Sequence, residues 1–278
     1  MAKTLADLID ARFGMPMGIG REMPAEGTLA GILDHRTHRR YSDRPVSAEL
    51  LQVLLACALS TPSKSDLQQW SVVVVKEPAQ RQFFADLLPG MPQVATAPVF
   101  LVWLGDMRRG QRICEQYGRP HDNNTLDTFF NCAVDAALAM ETFIVAAEAA
   151  GLGTCAISQI RTAMAEVSET LALPPGVVPI AGLCVGYPAG PGRISLRLPP
   201  AVMVHTDRYD DSALETELEG YDRRRHAQAP VAPEQQVHRK KYGVADYYPW
   251  SDNVSRRLAN RERRDFGAFV RRHGFDLT

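Results

Sequence analysis

Arg36, Thr37, Arg39 and Arg40 crowd the start of the segment His35–Ser47, HRTHRRYSDRPVS. Guanidinium groups and a hydroxyl at that density can grip a phosphate through bidentate and charge-assisted hydrogen bonds, provided the backbone turns them to one side. Taken alone, the segment reads first as a solvated basic loop, because charge runs usually face water. A second polar segment, TPSKSDLQQW from Thr61 to Trp70, stands directly before the apolar run Val72–Val75. A polar loop on the lip of a buried strand suits a ligand site.

Hydrophobic periodicity sets these segments on a framework of mixed helices and strands. Thr4–Arg12 reads as a short helix stopping near Gly14, and Gly27–Asp34 as a second that leads into the basic segment. Ser47, followed by Glu49 and by Leu50, Leu51, Leu54, Leu55 and Ala58, predicts a capped helix whose inner face is core. Ser71–Val75 is predicted as a strand with Val99–Leu104 as its partner, and Trp70 reads as a core side chain. Thr125–Ala150 carries the longest helical pattern, with a broad apolar face through Phe129, Ala133, Ala136, Ala137, Met140, Phe143, Ile144 and Ala147, closed by Gly151. Next come Gly153–Ile160 as a strand or extended loop, Thr162–Leu171 as a helix, and Val177–Val185 as a strand ending in the turn Gly186-Tyr187-Pro188. Leu214–Arg225 reads as a charged helix, Gln228–Pro249 as an irregular excursion and Val254–His273 as a final helix. Long irregular connections of that kind are usually functional or disordered.

With 278 residues, 45% of them hydrophobic, and a net charge of −1, the chain can bury a sizeable core but lacks the basic footprint of a nucleic-acid binder. Cys57, Cys114, Cys132, Cys155 and Cys184 are scattered, odd in number and without a CxxC pair. Neither a zinc site nor a disulfide framework is indicated, so no metal is expected and a reducing compartment is the simpler home. The N-terminal MAKTLADLIDARFG is amphipathic and acid-containing, and no later window is expected to reach the length of a membrane span. A cytoplasmic location with no membrane partner is the resulting expectation.

The segments HRTHRRY, Arg44-Pro45-Val46 and TPSKSDLQQW together resemble the nitroreductase family of flavoenzymes, whose N-terminal pattern is RRSxRxF, a proline-valine pair and then APSxxNxQPW. The resemblance continues through GLGTCAISQIR (Gly151–Arg161) and PIAGLCVGYPAGPGRISLRLP (Pro179–Pro199). These forms, with the late Trp250-Ser251-Asp252 and Arg256-Arg257, are most similar to the branch of oxygen-insensitive nitroreductases and NADPH:flavin oxidoreductases. The likeness implies a single nitroreductase-like domain over residues 1–278, with residues 1–30 as an N-terminal extension and 210–278 as a C-terminal helical excursion. It also implies an α+β fold, a central mixed and mostly antiparallel sheet flanked by helices, and an intertwined homodimer with flavin at the subunit interface. The small residues of Thr125–Ala150 make that helix a candidate interface, an ordinary core helix in a monomer being the alternative.

The implied cofactor is FMN, with NADPH or NADH as co-substrate. By resemblance, Arg36, Thr37 and Arg39 contact the phosphate and ribityl side, with His35 and His38 in the same loop. Arg197 matches a second phosphate-binding arginine, and Ser195 stands where the family has its companion lysine. Ser63, flanked by Pro62 and Lys64, matches a position that contacts flavin from the partner subunit. Gln68 belongs to a shared Leu-Gln pair, whereas Asp66 and Gln69 depart from the family's asparagine and proline. Ile157, Ser158 and Gln159 match the strip along the flavin's N5 edge, where two glycines are common. A backbone N–H there favours the reduced flavin without a side-chain acid, and no dedicated catalytic residue is named. The resemblance implies a ping-pong reductase that passes hydride to a nitroaromatic, a quinone or free flavin. His238, Arg239, Lys240 and Lys241 offer cations for a nicotinamide 2′-phosphate, a slight lean to NADPH. The alternatives are dehalogenase or flavin-cleaving chemistry on the same scaffold and, more remotely, nucleic-acid binding by the arginine clusters Arg223–Arg225, Arg256-Arg257, Arg261 and Arg263-Arg264.

Overall fold

The computed structural model describes residues 3–278. In chain order the elements are α1 (Leu5–Phe13), α2 (Gly27–Leu33), α3 (Ala48–Leu59), β1 (Trp70–Val74), α4 (Pro78–Leu87), α5 (Gln93–Thr96), β2 (Val99–Asp106) and α6 (Arg108–Gln116). They continue as α7 (Leu126–Ala149), β3 (Gly153–Ile157), α8 (Met164–Thr170), β4 (Val177–Gly186), α9 (Pro200–Met203), α10 (Leu214–Gln228), α11 (Arg239–Tyr242), α12 (Trp250–Leu258) and α13 (Phe266–Arg272). Two compact units share them. The smaller takes Met1–His35 and Ile194–Glu262; the larger takes Arg36–Arg193 and Arg263–Thr278.

The larger unit is built on a four-stranded sheet of order β1-β2-β4-β3, antiparallel at every strand pair. The mixed character expected of the sheet reduces to one parallel bridge among the described residues, Thr37 to Thr154. Both sheet faces are covered, which is why β2 reads as a nearly unbroken apolar run rather than an alternation. Leu101 and Trp103 pack with Leu54 of α3 and Ala136, Ala139 and Phe143 of α7. Phe100, Val102 and Leu104 pack with Phe84 of α4 and Val167 of α8. Trp70 is buried in the first of these clusters, its ring centroid 5.4 Å from that of Trp103.

Local chemistry accounts for the helix limits. The Ser47 hydroxyl accepts from the Leu50 N–H at 3.1 Å and starts α3. The Asp7 carboxylate accepts from the Thr4 backbone at 2.6 Å and its hydroxyl at 3.1 Å, bonds that hold Asp7 below the usual carboxylate range. Gly14 closes α1 in the left-handed region at φ 66°.

The expected final helix, Val254–His273, is two helices. Between Leu258 and Phe266 the sequence is charged with no apolar repeat, and Arg263 sits at φ 50°. Without a face to bury, that stretch gains nothing from staying helical. The expected extended stretch Gly153–Ile160 is a strand only to Ile157, after which Ser158–Thr162 winds into a 3₁₀ turn. The expectation about membrane length is also corrected, since α7 is long and apolar enough to cross a bilayer by length and composition. In the fold, Cys132, Asp135, Ala136, Ala139, Phe143 and Ala147 of that helix are buried. The opposite side carries an exposed apolar stripe, Leu126, Phe130, Val134 and Leu138, at helical spacing.

Candidate flavin site

In the larger unit, the basic segment is laid along β3, one of the two edge strands of the sheet. The His38 N–H donates to the Thr154 carbonyl at 2.9 Å beside the Thr37–Thr154 bridge. Tyr41 donates its hydroxyl to the His38 carbonyl at 2.7 Å, and the Arg44 guanidinium lies 3.8 Å over the Tyr187 ring. Gly153 permits this approach, because a Cβ there would stand 2.7 Å from both Cβ and Cγ of His38. Arg39 reaches the same strand. Its guanidinium opposes the rise that burial imposes on the Cys155 thiol. At its other end β3 finishes at Ile157 and runs into Ser158 and Gln159, so the strand links the candidate anion-binding segment to the predicted flavin-edge strip about three residues away, or roughly 10 Å.

The loop between α3 and β1 is held from beneath by a buried carboxylate. Asp135 of α7, 1% exposed, accepts from the Ser63 hydroxyl at 2.9 Å, the Lys64 N–H at 3.2 Å and the Gln69 N–H at 3.0 Å. The Ser63 oxygen in turn accepts from the Gln68 N–H at 2.7 Å. Ser63 therefore spends its hydroxyl inside the chain, leaving the exposed Pro62, Lys64 and Gln68 to face outward. Ser65, Asp66 and Gln68 all take left-handed φ values, near 51°, 56° and 52°, a strain that persists only where surrounding bonds over-determine it. Arg109 braces the far end, donating to the carbonyls of Gln68 and Trp70 and to the Ser71 hydroxyl.

A cavity of about 240 Å³ beside the flavin-edge strip is lined by Arg161, Arg263, Arg264 and Arg272, with Met164, Phe266 and Phe269 as apolar walls. Arg263 donates to the Ser158 hydroxyl at 3.3 Å, and Arg161 donates to the Ile180 carbonyl. Burial and the neighbouring Arg263 cation both lower the pKa of Arg161. Glu166 and Asp265 line the same cavity, so its charge is mixed with an excess of cations, a balance that still favours an anion.

In the smaller unit, Arg12 of α1 gathers the remaining candidates. Its guanidinium donates to the carbonyls of His35 at 2.6 Å and Ser195 at 2.9 Å. Arg197 is exposed two residues beyond Ser195. Reasoning from sequence had passed over Arg12, Asp135, Arg109 and Arg161. For the first two the signal was present, as a lone charge on an otherwise apolar helix face.

The nitroreductase family model matches residues 32–94 and 87–187, and its C-terminal-domain model matches 195–278. This chain belongs to the nitroreductase family. It is 30% identical over 262 residues to the oxygen-insensitive NADPH nitroreductase of Salmonella typhimurium, covering 89% of this chain and 98% of that one. It is 28% identical to the FMN reductase (NADPH) of Bacillus subtilis, with 90% and 98% covered. Among solved structures, the NADPH:FMN oxidoreductase from Vibrio harveyi complexed with NAD+ superposes with a TM-score of 0.76 at 28% identity, over 89% of this chain and 97% of that one. B. megaterium NfrA2 superposes with a TM-score of 0.79 at 30% identity, over 90% and 98%. In this nitroreductase-family chain the Ser158 hydroxyl is tied to Arg263. No group of three or more His, Cys, Asp or Glu among the described residues could hold a metal ion.

Proposed function

We propose that the protein is an FMN-dependent oxidoreductase that takes electrons from NADPH or NADH and delivers them to an electron-poor acceptor such as a nitroaromatic, a quinone or free flavin. The observation that carries the reading is the edge strand β3, which presents the Arg36–Arg39 segment near one end and Ile157–Gln159 at the other. That donor set fits FMN, with arginines and a hydroxyl for a dianionic phosphate and a main-chain strip for a planar ring. Bound FMN supplies the two-electron relay between nicotinamide and acceptor. The chain's own residues bind and orient. Arg36, Thr37 and Arg39 hold the anionic end, the backbone from Ile157 to Gln159 supports the ring edge, and the cavity arginines draw the negatively charged parts of the nicotinamide donor or of an acidic acceptor. Because donor and acceptor use one space in turn, the kinetics are ping-pong.

The relatives named as NADPH reductases support NADPH as the favoured donor. The exposed stripe Leu126, Phe130, Val134 and Leu138 on α7 supports a homodimer, with Pro62, Lys64 and Gln68 contributed to the partner's flavin. Phe130→Glu, read by light scattering, is expected to yield monomer; an unchanged mass would remove α7 from the interface. Free thiols at all five cysteines support a reducing, cytoplasmic setting.

The visible spectrum of the purified protein tests the reading, with FMN added if it is colourless, followed by anaerobic NADPH and then NADH. Bleaching of the bound-flavin band is expected, faster with NADPH. A protein that neither carries nor takes up flavin would overturn cofactor and function together.

A further inference from the structure

The family match begins at residue 32, so α1 lies in a segment to which the family assigns nothing. Its inner face carries Leu5, Leu8 and Arg12, all buried. Arginine is almost never fully buried unless its donors are paired. Arg12 is 6% exposed, and its guanidinium donates to the carbonyls of Leu33 at 2.8 and 3.2 Å, His35 at 2.6 Å and Ser195 at 2.9 Å. A planar fork of five N–H donors can bridge carbonyls from separate segments in a way that an ammonium cannot.

The contact is reinforced in both directions. The Arg12 carbonyl accepts from the Arg197 N–H at 3.0 Å, and the Tyr221 hydroxyl donates to the Leu196 carbonyl at 3.1 Å. Gly14 packs so closely on Leu196 that a Cβ there would stand 3.0 Å from its Cδ1. Ser195, Leu196 and Arg197 are thus each fixed, two of them by α1. His35, held by the same guanidinium, is the residue that leads into Arg36.

We propose that Arg12 is a positioning residue for recognition of the flavin phosphate. Within the smaller unit it fixes the backbone of two segments 160 positions apart, at His35 and at Ser195, the latter two residues before Arg197. The inference rests on the FMN reading above. The N-terminal extension is then a structural part of the anion site rather than an appendage.

Phosphate is what separates FMN from riboflavin, so the affinity ratio of the two flavins reports anion positioning, whereas a general loss of stability weakens both together. Dissociation constants for each are measured by flavin fluorescence on the full chain, for wild type, Arg12→Met and Arg12→Lys. Arg12→Met is expected to weaken FMN about tenfold, equivalent to about 1.4 kcal/mol, while riboflavin stays within about twofold. Arg12→Lys, which keeps the charge but not the fork, falls between and decides the matter if Arg12→Met does not fold. An unchanged FMN to riboflavin ratio in the variants overturns the proposal. Wild type that binds neither flavin overturns the cofactor reading itself, a result distinct from the first.

Discussion

Asp135→Asn isolates the device that holds the loop between α3 and β1. The substitution keeps the side chain's shape in a position that is 1% exposed, but replaces one carboxylate oxygen with an amide donor. Lys64 uses Oδ1, while Ser63 and Gln69 share Oδ2. Whichever way the amide turns, at least one N–H or O–H then faces another donor. With the carbonyl turned to Ser63 and Gln69, the Lys64 bond is lost at about 1–3 kcal/mol, and the two survivors fall from charge-assisted to neutral strength, roughly 1 kcal/mol less each. A total of about 3–5 kcal/mol compares with roughly 1–2 kcal/mol for each left-handed residue that the loop must tolerate at Ser65, Asp66 and Gln68. The two terms are of one size, so the loop should open locally while the apolar face of α7 keeps the core intact. Amide hydrogen exchange reads this directly. The Lys64 and Gln69 amides should exchange roughly 100-fold faster or more, since each 1.4 kcal/mol is a factor of ten in the opening equilibrium. Ser65→Gly in the same background relieves left-handed strain and should restore part of the protection. Wild-type exchange at both amides in Asp135→Asn would refute the claim that the carboxylate holds the loop.

Arg36→Ala and Arg197→Ala should each weaken FMN retention by roughly 1.5–3 kcal/mol, the worth of a hydrogen bond to a charged group; fluorescence titration showing wild-type affinity in both would dismiss the phosphate assignment. Gly153→Ala forces a Cβ to within 2.7 Å of His38 Cβ, whereas Gly190→Ala meets nothing within 4 Å. The first should cost about 1–3 kcal/mol by overpacking and loosen FMN, the second should do neither, and equal melting temperatures would show that the basic segment does not lean on β3. Burial, with the carboxylates of Asp106 and Asp135, pushes the Cys132 thiol from 9.0 up to about 12, and burial also raises Cys155 and Cys184. Because the unfolded thiols ionise first, this stability is complete below about pH 9 and is lost as the pH climbs from there through about 12. Thermal melts should therefore fall across that window, and Cys132→Ala should flatten the slope; an identical slope would assign the loss to other groups.

What could be read from sequence divides by the range of the interactions. The start of α3 was legible because the cap at Ser47 reaches only to Leu50, and α7 because its apolar period is internal to the helix. The helices α4 and α6 went unread although α4 carries Phe83, Phe84 and Leu87 at helical spacing; α6 buries none of its residues, so no core-facing apolar run marked it. Val254–His273 was joined into one helix because helix-forming residues run on through a stretch that no packing supports.

The same division orders the site. The basic segment and the α3–β1 loop announced themselves by residue type, but the groups that hold them lie far away in sequence, Asp135 from Ser63 and Arg12 from Ser195. A carboxylate within the apolar run around Asp135, or an arginine in line with Leu5 and Leu8, already implies paired donors or acceptors, because an unpaired buried charge is too costly to keep. Sequence thus states the requirement for a partner, while the fold alone determines which carbonyls and amides meet it. In this chain the answers are carbonyls and amides outside the strands, with the Ser63 hydroxyl, in the candidate segments, so the polar residues that interrupt apolar helix faces serve as supports of those segments. That logic extends to Arg109, exposed in part yet bonded to the carbonyls of Gln68 and Trp70. Backbone carbonyls carry no residue-type signature, and its function was therefore invisible until the loop and α6 were placed side by side.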